Sequence, residues 1–164
     1  MAAQDGHTAA LKVLLENGAD ANQADNEGST PVSAASMNGH TAALKLLLEN
    51  GADAKQGDTN GASPVFFASQ EGHTAALKLL LENGGNVNHA RNDGTTPVFM
   101  ASHDGHTADL KLLLENGGNV NQTKNHGRTP VYLASKKGQT ADGKVLLENG
   151  GGGNQAATDG STPV

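Results

Sequence analysis

The segment GHTAALKLLLENG occupies residues 39–51 and recurs without change at residues 72–84. Variants of it begin at Gly6, Gly105 and Gly138, so the copies start at intervals of 33 residues. Prolines recur at the same interval, as Pro31, Pro64, Pro97, Pro130 and Pro163. Because unrelated residue types share one period, composition bias cannot produce this pattern. We interpret the chain as a tandem array of 33-residue units.

The segment around each proline predicts a first short helix. In SPVFFASQ, at residues 63–70, Ser63 supplies a hydroxyl N-cap and Pro64 occupies the first helical position. The missing N–H of proline costs nothing there. Gly72 is then expected to end this helix, because glycine adopts a left-handed cap without steric cost.

The leucine-rich stretch predicts a second short helix in each unit. Thr74 is expected to cap it, and Leu77, Leu80 and Leu81 fall on one face. Gly84 follows, at the position where a left-handed C-cap is expected. Helices this short are marginal in isolation, so neighbouring units must stack to bury the leucine face. The polar segment between units is expected to form a hairpin-like turn.

Composition and charge exclude several classes of protein. The 164 residues include no cysteine, and 11 basic against 17 acidic residues give a net charge of −6. A disulfide framework and a thiolate metal site are therefore excluded, and no global attraction to nucleic acid or anionic membrane is expected. No apolar run is long enough for a transmembrane helix or a signal peptide. We expect an intracellular, cytoplasmic protein.

The period predicts one array that spans residues 1–164. Complete units are expected at residues 25–57, 58–90, 91–123 and 124–156, the last one degenerate, with a partial unit at 1–24 and the start of another at 157–164. Neither end shows a polar capping unit, so a piece of a longer array is expected. The first leucine helix, residues 9–17, should then expose apolar surface.

The repeated unit resembles the ankyrin repeat. The family's pattern is G-x-T-P-L-H-x-A-A, a G-H pair, a leucine-rich helix and G-A-D-x-N. It appears here as GSTPVSAAS at residues 28–36 and GHTAALKLLLENGADAK at residues 39–55. The resemblance covers essentially the whole chain. It implies an all-α solenoid of stacked antiparallel helix pairs joined by hairpin-like turns, and a role in binding proteins.

The units depart from the family's pattern in the first helix. Valine replaces the family's leucine after each proline, and Ser33, Phe66, Phe99 and Tyr132 replace its histidine. The capping network that the resemblance would assign to that histidine is therefore absent, although the Thr or Ser before each proline can still cap. We expect the three aromatic side chains to pack between units rather than to bind a ligand.

The stretch GQTADGKV, residues 138–145, has the glycine and lysine spacing of a phosphate-binding loop. Gly138 and Lys144 are, however, regular residues of their unit, and Val145 stands where such a loop needs Ser or Thr for Mg²⁺. The segment before Gly138 is also predicted to be a helix rather than a strand. We therefore predict no nucleotide site, no cofactor and no small-molecule substrate.

Gly143 stands where other units have a core leucine and is expected to weaken the last unit. The missing side chain costs roughly 2–5 kcal/mol, and the poor helix propensity of glycine costs about 1 kcal/mol. Glycine also occupies residues 150–153. This run is interpreted as a flexible, degenerate turn rather than an anion site.

Histidine recurs at one position in four units, as His7, His40, His73 and His106. Stacked helices lie about 8–10 Å apart, which is too far for neighbouring histidines to share a metal ion. A structural hydrogen bond to the adjacent loop is the better interpretation. No metal site and no catalytic arrangement is predicted.

Positions that vary between units are the candidates for binding a partner. In ankyrin-like arrays they lie on the turn tips and the exposed side of the first helix, where they form a concave surface. The candidates are Asn26, Glu27, Ser29, Met37, Asn38, Thr59, Asn60, Gln70, Glu71, Asn92, Asp93, Thr95, His103, Asp104, Asn125, His126, Arg128, Lys136 and Lys137. Along them, acidic residues give way to basic ones, which would orient a partner of opposite polarity. Ordinary surface charge is the alternative.

The sequence thus predicts a non-catalytic scaffold that binds another protein, with no nucleic-acid or membrane partner. Two alternatives stay open. The array could be the targeting module of a longer enzyme whose catalytic domain lies outside this chain, or an engineered, consensus-like array without a dedicated partner.

Overall fold

The computed structural model of the protein describes residues 2–124, 127–153 and Thr162. Within these ranges the chain forms nine α-helices and no β-strand, which confirms the predicted all-α class. The helices are α1 (Thr8–Glu16), α2 (Pro31–Met37), α3 (Thr41–Glu49), α4 (Pro64–Glu71), α5 (Thr74–Glu82), α6 (Pro97–Asp104), α7 (Thr107–Glu115), α8 (Pro130–Lys137) and α9 (Thr140–Glu148). None of these helices has the length and apolar character needed to cross a bilayer.

The helices form two parallel rows. The first helices of successive units, α2, α4, α6 and α8, pack against one another, while α1, α3, α5, α7 and α9 form the second row. The first and second helix of a unit also pack together, as α2 does on α3. The chain is therefore the predicted solenoid of stacked helix pairs. The boundaries of the units stay a prediction.

The hydroxyl residue before each proline caps the first helix, as predicted. The side-chain oxygens of Thr30, Ser63, Thr96 and Thr129 each accept a hydrogen bond of 3.2 Å from the backbone N–H three residues later. At the other end of α4, Gly72 has a φ of +74° and lies in the left-handed region. Local residue chemistry thus defines both ends of this helix.

The predicted cap of the second helix is wrong. His73 occupies the N-cap position of α5 without a capping side-chain bond, and Thr74 is the first helical residue. The Thr74 hydroxyl donates instead to Asp109 Oδ1 in the next unit. In α3, the equivalent Thr41 hydroxyl donates back to the Gly39 carbonyl oxygen at 3.4 Å. The threonine therefore serves the inter-helix turn or the neighbouring unit.

The core consists of columns of equivalent side chains that run along the stack. The leucines of the second helices are fully buried at Leu44, Leu77 and Leu110, each 0% exposed. Val65 and Val98 from the first helices are buried to the same extent. Burial of each such side chain stabilises the fold by roughly 1.5–3 kcal/mol. At the first helix of the stack, Val13 is 58% exposed, which confirms the expected apolar surface on α1.

The three aromatic residues pack between units, as expected. Phe66, Phe99 and Tyr132 are between 1% and 8% exposed. Phe66 contacts the ring of Phe67 edge-on, with the ring centroids 6.0 Å apart. Met100 of α6 packs against this pair and against the cluster that contains Phe99. The aromatic residues therefore fill the interior of the first-helix row.

The last described unit combines an open space with a tight contact. Gly143 lies within α9, and no described atom lies within 4 Å of a Cβ built on it. A Cβ on Gly151, in contrast, would lie 2.6 Å from Val131 Cγ2 and 2.8 Å from the Leu146 carbonyl oxygen. Gly151 consequently has a packing role that its interpretation as part of a flexible turn did not include. The reduced stability expected from Gly143 stays a prediction.

Candidate functional site

The tips of successive turns are joined by hydrogen bonds. The Thr59 N–H donates to the Glu27 carbonyl oxygen at 3.0 Å, and the Asn92 N–H donates to the Asn60 carbonyl oxygen at 2.9 Å. Asn92 Nδ2 also donates to the Thr59 carbonyl oxygen at 3.1 Å. These bonds connect predicted binding residues of three units into one ridge.

An aspartate at the base of each of the first two tips fixes the tip's conformation. Asp25 Oδ1 accepts 2.9 Å bonds from the Glu27 and Ser29 N–H groups. Asp58 Oδ1 accepts bonds from the Asn60 N–H at 2.9 Å and the Ala62 N–H at 2.8 Å. Such local side-chain bonds stabilise turns and hold the neighbouring side chains in a defined position.

The candidates near the ends of the first helices are accessible. Met37 is 38% exposed, and Gln70 and His103 are half-buried at the equivalent positions of the next two units. Their neighbours and the corresponding residues of α8 are exposed, namely Asn38, Glu71, Asp104, Lys136 and Lys137. A second ridge of variable residues therefore follows the first-helix row.

A groove of about 600 Å³ joins the two ridges in the N-terminal part of the array. Its lining includes Glu27 and Ser29 from a turn tip, and Met37 and Asn38 from the end of α2. Phe67, which the sequence did not select, also lines the groove. Turn tips and helix ends thus belong to one surface, which we call the variable face.

The position at the base of the tips changes from acidic to basic along the chain. It holds Asp25 and Asp58 in the first two complete units, and Arg91 and Lys124 in the next two. Arg91 Cζ lies 5.4 Å from the centre of the Phe66 ring. Lys124 Nζ lies 5.8 Å from the centre of an equivalent aromatic ring in α6. Both cations therefore lie over buried aromatic rings, an attraction of about 0.5–1 kcal/mol.

Lys124 also forms an ion pair with Asp93. Its Nζ lies 3.0 Å from Asp93 Oδ2, and the Thr95 N–H donates to Asp93 Oδ1 at 3.0 Å. Although burial works in the opposite direction, the bonds from Thr95 and Lys124 hold the pKa of Asp93 well below its usual range. Part of the positive charge at this end is therefore neutralised within the protein.

Not every candidate lies on the variable face. Asn26 is exposed and Arg128 is half-buried, but Thr95 is only 1% exposed and lies beneath the tip of its turn. Thr95 belongs to the scaffold of the face because its backbone supports Asp93. Asn125 and His126 lie outside the described residues.

The repeated histidines have the structural role that was predicted. His73 Nε2 lies 3.1 Å from the Met37 carbonyl oxygen, and His106 Nε2 lies 3.0 Å from the Gln70 carbonyl oxygen. Each bond joins a unit to the end of the preceding first helix. A Cβ on Gly39 would lie 2.7 Å from His73 Nδ1, so the ring requires glycine beside it. Among the described residues, no group of three metal-ligating side chains comes together.

The segment that resembles a phosphate-binding loop is a helix–turn–helix connection. Gly138 ends α8 in the left-handed conformation, and α9 begins at Thr140. The element before it is a helix, as predicted, whereas a phosphate-binding loop follows a strand. Lys144 pairs with Glu148 at 3.9 Å on the exposed side of α9.

Two buried aspartates were not recognised from the sequence. Asp109 and Asp142 are 0% and 1% exposed, and each accepts a hydrogen bond from a threonine of the preceding unit, Thr74 and Thr107. Their Oδ2 atoms have no hydrogen-bond partner among the described residues. Burial raises the pKa of both carboxyl groups. The available signal was a break in the repeat, since other units have alanine here.

Comparisons with known proteins agree with this description of the repeats. A family model described as ankyrin repeats, in three copies, matches residues 1–91 and again residues 84–159. A search of curated proteins returned no match. The repeated pattern, the helix pairs and the family model therefore identify the same units.

Proposed function

The chain belongs to the ankyrin-repeat family, and we propose that it is a non-catalytic scaffold that binds a partner protein through its variable face. Ankyrin repeats generally act in protein–protein interaction. The observation that carries the proposal is the groove, because it joins predicted binding residues of the turn tips and of α2 in one surface. Extended surfaces of stacked repeats suit protein partners.

The division between constant and variable residues supports this assignment. Constant residues such as His73 and Leu77 form bonds or core contacts between units. Residues such as Met37, Gln70 and His103 occupy equivalent positions on successive first helices and differ in size and charge. A side chain that is accessible and not required by the stack is free to contact a partner.

The charges of the variable face suggest how a partner is oriented. Asp25 and Asp58 lie in its N-terminal half, and the exposed Lys136 and Lys137 end the described first-helix row. Complementary charges at the two ends of a partner would raise the association rate and define one orientation. Because Lys124 is paired with Asp93, we assign the basic end to the lysines of α8.

Site-specific photo-crosslinking in cells of the source organism tests the proposal. A photoreactive residue would be placed at Gln70 or Asp104 on the variable face, and at Glu49 or Glu82 on the exposed side of the second helices as controls. The side chains of both glutamates are about 60% accessible. We expect partner adducts only from the first two positions. Adducts of equal yield from the control positions, or from these alone, would refute the assignment of the binding face.

A second experiment tests the role of the basic end once a partner has been crosslinked. Lys136→Glu combined with Lys137→Glu should lower the association rate several-fold at low salt and reduce its salt dependence. Lys78→Glu, on the second-helix row, changes one exposed charge and serves as the control. An unchanged association rate in the double variant would remove the steering role.

A further inference from the structure

The groove in the N-terminal part of the variable face has an apolar floor. Ala34 of α2 and Phe67 of α4 lie in its lining, together with the partly exposed Met37. Ala34 occupies the position that holds Phe67, Met100 and Leu133 in the later units. The small side chain leaves unfilled the space that a large side chain occupies elsewhere, and this is the physical origin of the groove.

The rim of the groove is acidic. The carboxylates of Asp20, Asp25, Glu27 and Asp58 are part of the lining, and no described lysine, arginine or histidine is. Within the described part of the chain, none of these four groups forms an ion pair. Asp25 and Asp58 accept bonds only from backbone N–H groups there, which leave their negative charge uncompensated.

The opposite half of the face is different. Arg91 and Lys124 replace the aspartates at the base of the tips, and both lie over aromatic rings. Lys124 also neutralises Asp93. An apolar depression with unpaired charge of one sign therefore exists only in the N-terminal half of the described array.

We propose that this groove binds a cationic amphipathic segment of a partner protein, with an apolar side chain over Ala34 and Phe67 and Lys or Arg side chains against the acidic rim. The inference rests on the proposed function and specifies the chemistry of the partner. The apolar contact supplies affinity by removing Phe67 and Met37 from water. The surrounding carboxylates favour a cationic segment over an anionic one.

Synthetic peptides provide a direct test that needs no natural partner. A fluorescently labelled peptide with Leu and Lys at helical spacing is titrated with the protein, and binding is followed by fluorescence anisotropy at several salt concentrations. One comparison peptide has Glu in place of Lys, and a second has Ser in place of Leu. We expect binding of the Leu–Lys peptide alone, with an affinity that falls as the salt concentration rises.

Two variants that use residues from the chain's own repeats locate the binding site. Ala34→Phe fills the groove as Phe67 fills the equivalent space, and it should weaken binding about tenfold or more. Leu133→Phe makes the corresponding change outside the groove and should leave the affinity unchanged. Glu27→Asn introduces the residue found at Asn60 and should weaken binding about two- to fivefold, whereas Glu49→Gln should have no effect.

Circular dichroism confirms that Ala34→Phe is folded, and Glu27→Asn on an exposed tip gives an independent result if it is not. Equal binding of the Leu–Glu peptide, or no effect of either groove variant, would overturn the inference. So would sedimentation showing that two copies of the chain occupy each other's grooves. If peptide binding fails while crosslinks form at Gln70 and Asp104, the inference is wrong and the proposed function stands. If those crosslinks are also absent, both fail.

Discussion

Replacement of Asp109 by alanine is expected to stabilise the protein at neutral pH. Asp109 is 0% exposed, and the equivalent residues of the preceding units, Ala43 and Ala76, are equally buried. The substitution therefore introduces a residue that the stack already accommodates. Asp109 Oδ1 accepts a hydrogen bond from Thr74, but its Oδ2 has no partner among the described residues.

The magnitude follows from the groups that gain or lose partners. Removal of the unpaired, charged oxygen is favourable by at least about 1–3 kcal/mol, and alanine improves helix propensity by about 0.5 kcal/mol. Loss of the charge-assisted bond costs about 1.5–3 kcal/mol, and loss of an acidic residue from the first turn costs about 0.5 kcal/mol. The Thr74 hydroxyl can donate to the Gly72 carbonyl oxygen, as Thr41 does to Gly39, which recovers about 1 kcal/mol. We expect a net gain of about 1 kcal/mol.

The pH dependence of this gain has a defined sign. Burial raises the pKa of Asp109 above its ordinary value of 3.8, against the bond from Thr74 and the charges of His106 and His73. The folded carboxyl group therefore keeps its proton to a higher pH than the unfolded one. Its destabilising effect is absent below pH 3.8 and grows as the pH rises through the folded-state pKa. The advantage of Asp109→Ala should consequently shrink on acidification.

Urea unfolding followed by circular dichroism at pH 7 and near pH 4 measures both effects. Glu115→Ala, at an exposed position of the same helix, controls for loss of a carboxylate. The reciprocal change Ala76→Asp should destabilise the protein at pH 7. A destabilised Asp109→Ala variant at pH 7, or a gain that is the same at both pH values, would refute the reasoning.

Three further substitutions test the fold by urea unfolding. Ser63→Ala removes the N-cap of α4 and should cost about 1 kcal/mol; Ser63→Thr, which keeps the hydroxyl, is the control, and equal loss in both would contradict the capping role. Phe66→Ala removes a side chain that is 1% exposed and should cost about 3–5 kcal/mol; a loss below about 1 kcal/mol would place this ring outside the core. Gly143→Ala should gain about 1 kcal/mol, because the position is helical and open; destabilisation would show a need for glycine, as expected for Gly151→Ala.

The helices and most of their ends could be predicted because they depend on residues close together in the chain. A hydroxyl before Pro64 and a glycine at position 72 define α4 through bonds that span a few residues. The order of the units along the stack also follows from the period, since each apolar face can be buried only by a neighbour.

The failed prediction at Thr74 shows where local rules stop. Within its own unit, this threonine has the chemistry of a helix cap, but its hydroxyl donates to Asp109, 35 residues further along the chain. That partner is available only because α5 and α7 pack together. Equivalent threonines without an aspartate beside them donate to their own turn, as Thr41 does.

The candidate surface was predicted in position but not in character. Variation between units selected Glu27, Met37 and most other residues of the face, but not Ala34 or Phe67, whose importance depends on one side chain leaving space over the other. Charge counts likewise treated Arg91 and Lys124 as free cations, although both lie over aromatic rings.

The sequence by itself determined the repeat, the helix pairs and their caps, because these depend on neighbouring residues and on a period of 33 positions. Only the tertiary structure decided which charges are neutralised, which carboxylates are buried and where the variable face is hollow. These properties arise between residues of different units, where stacking brings side chains that are distant in the chain within a few ångströms of each other.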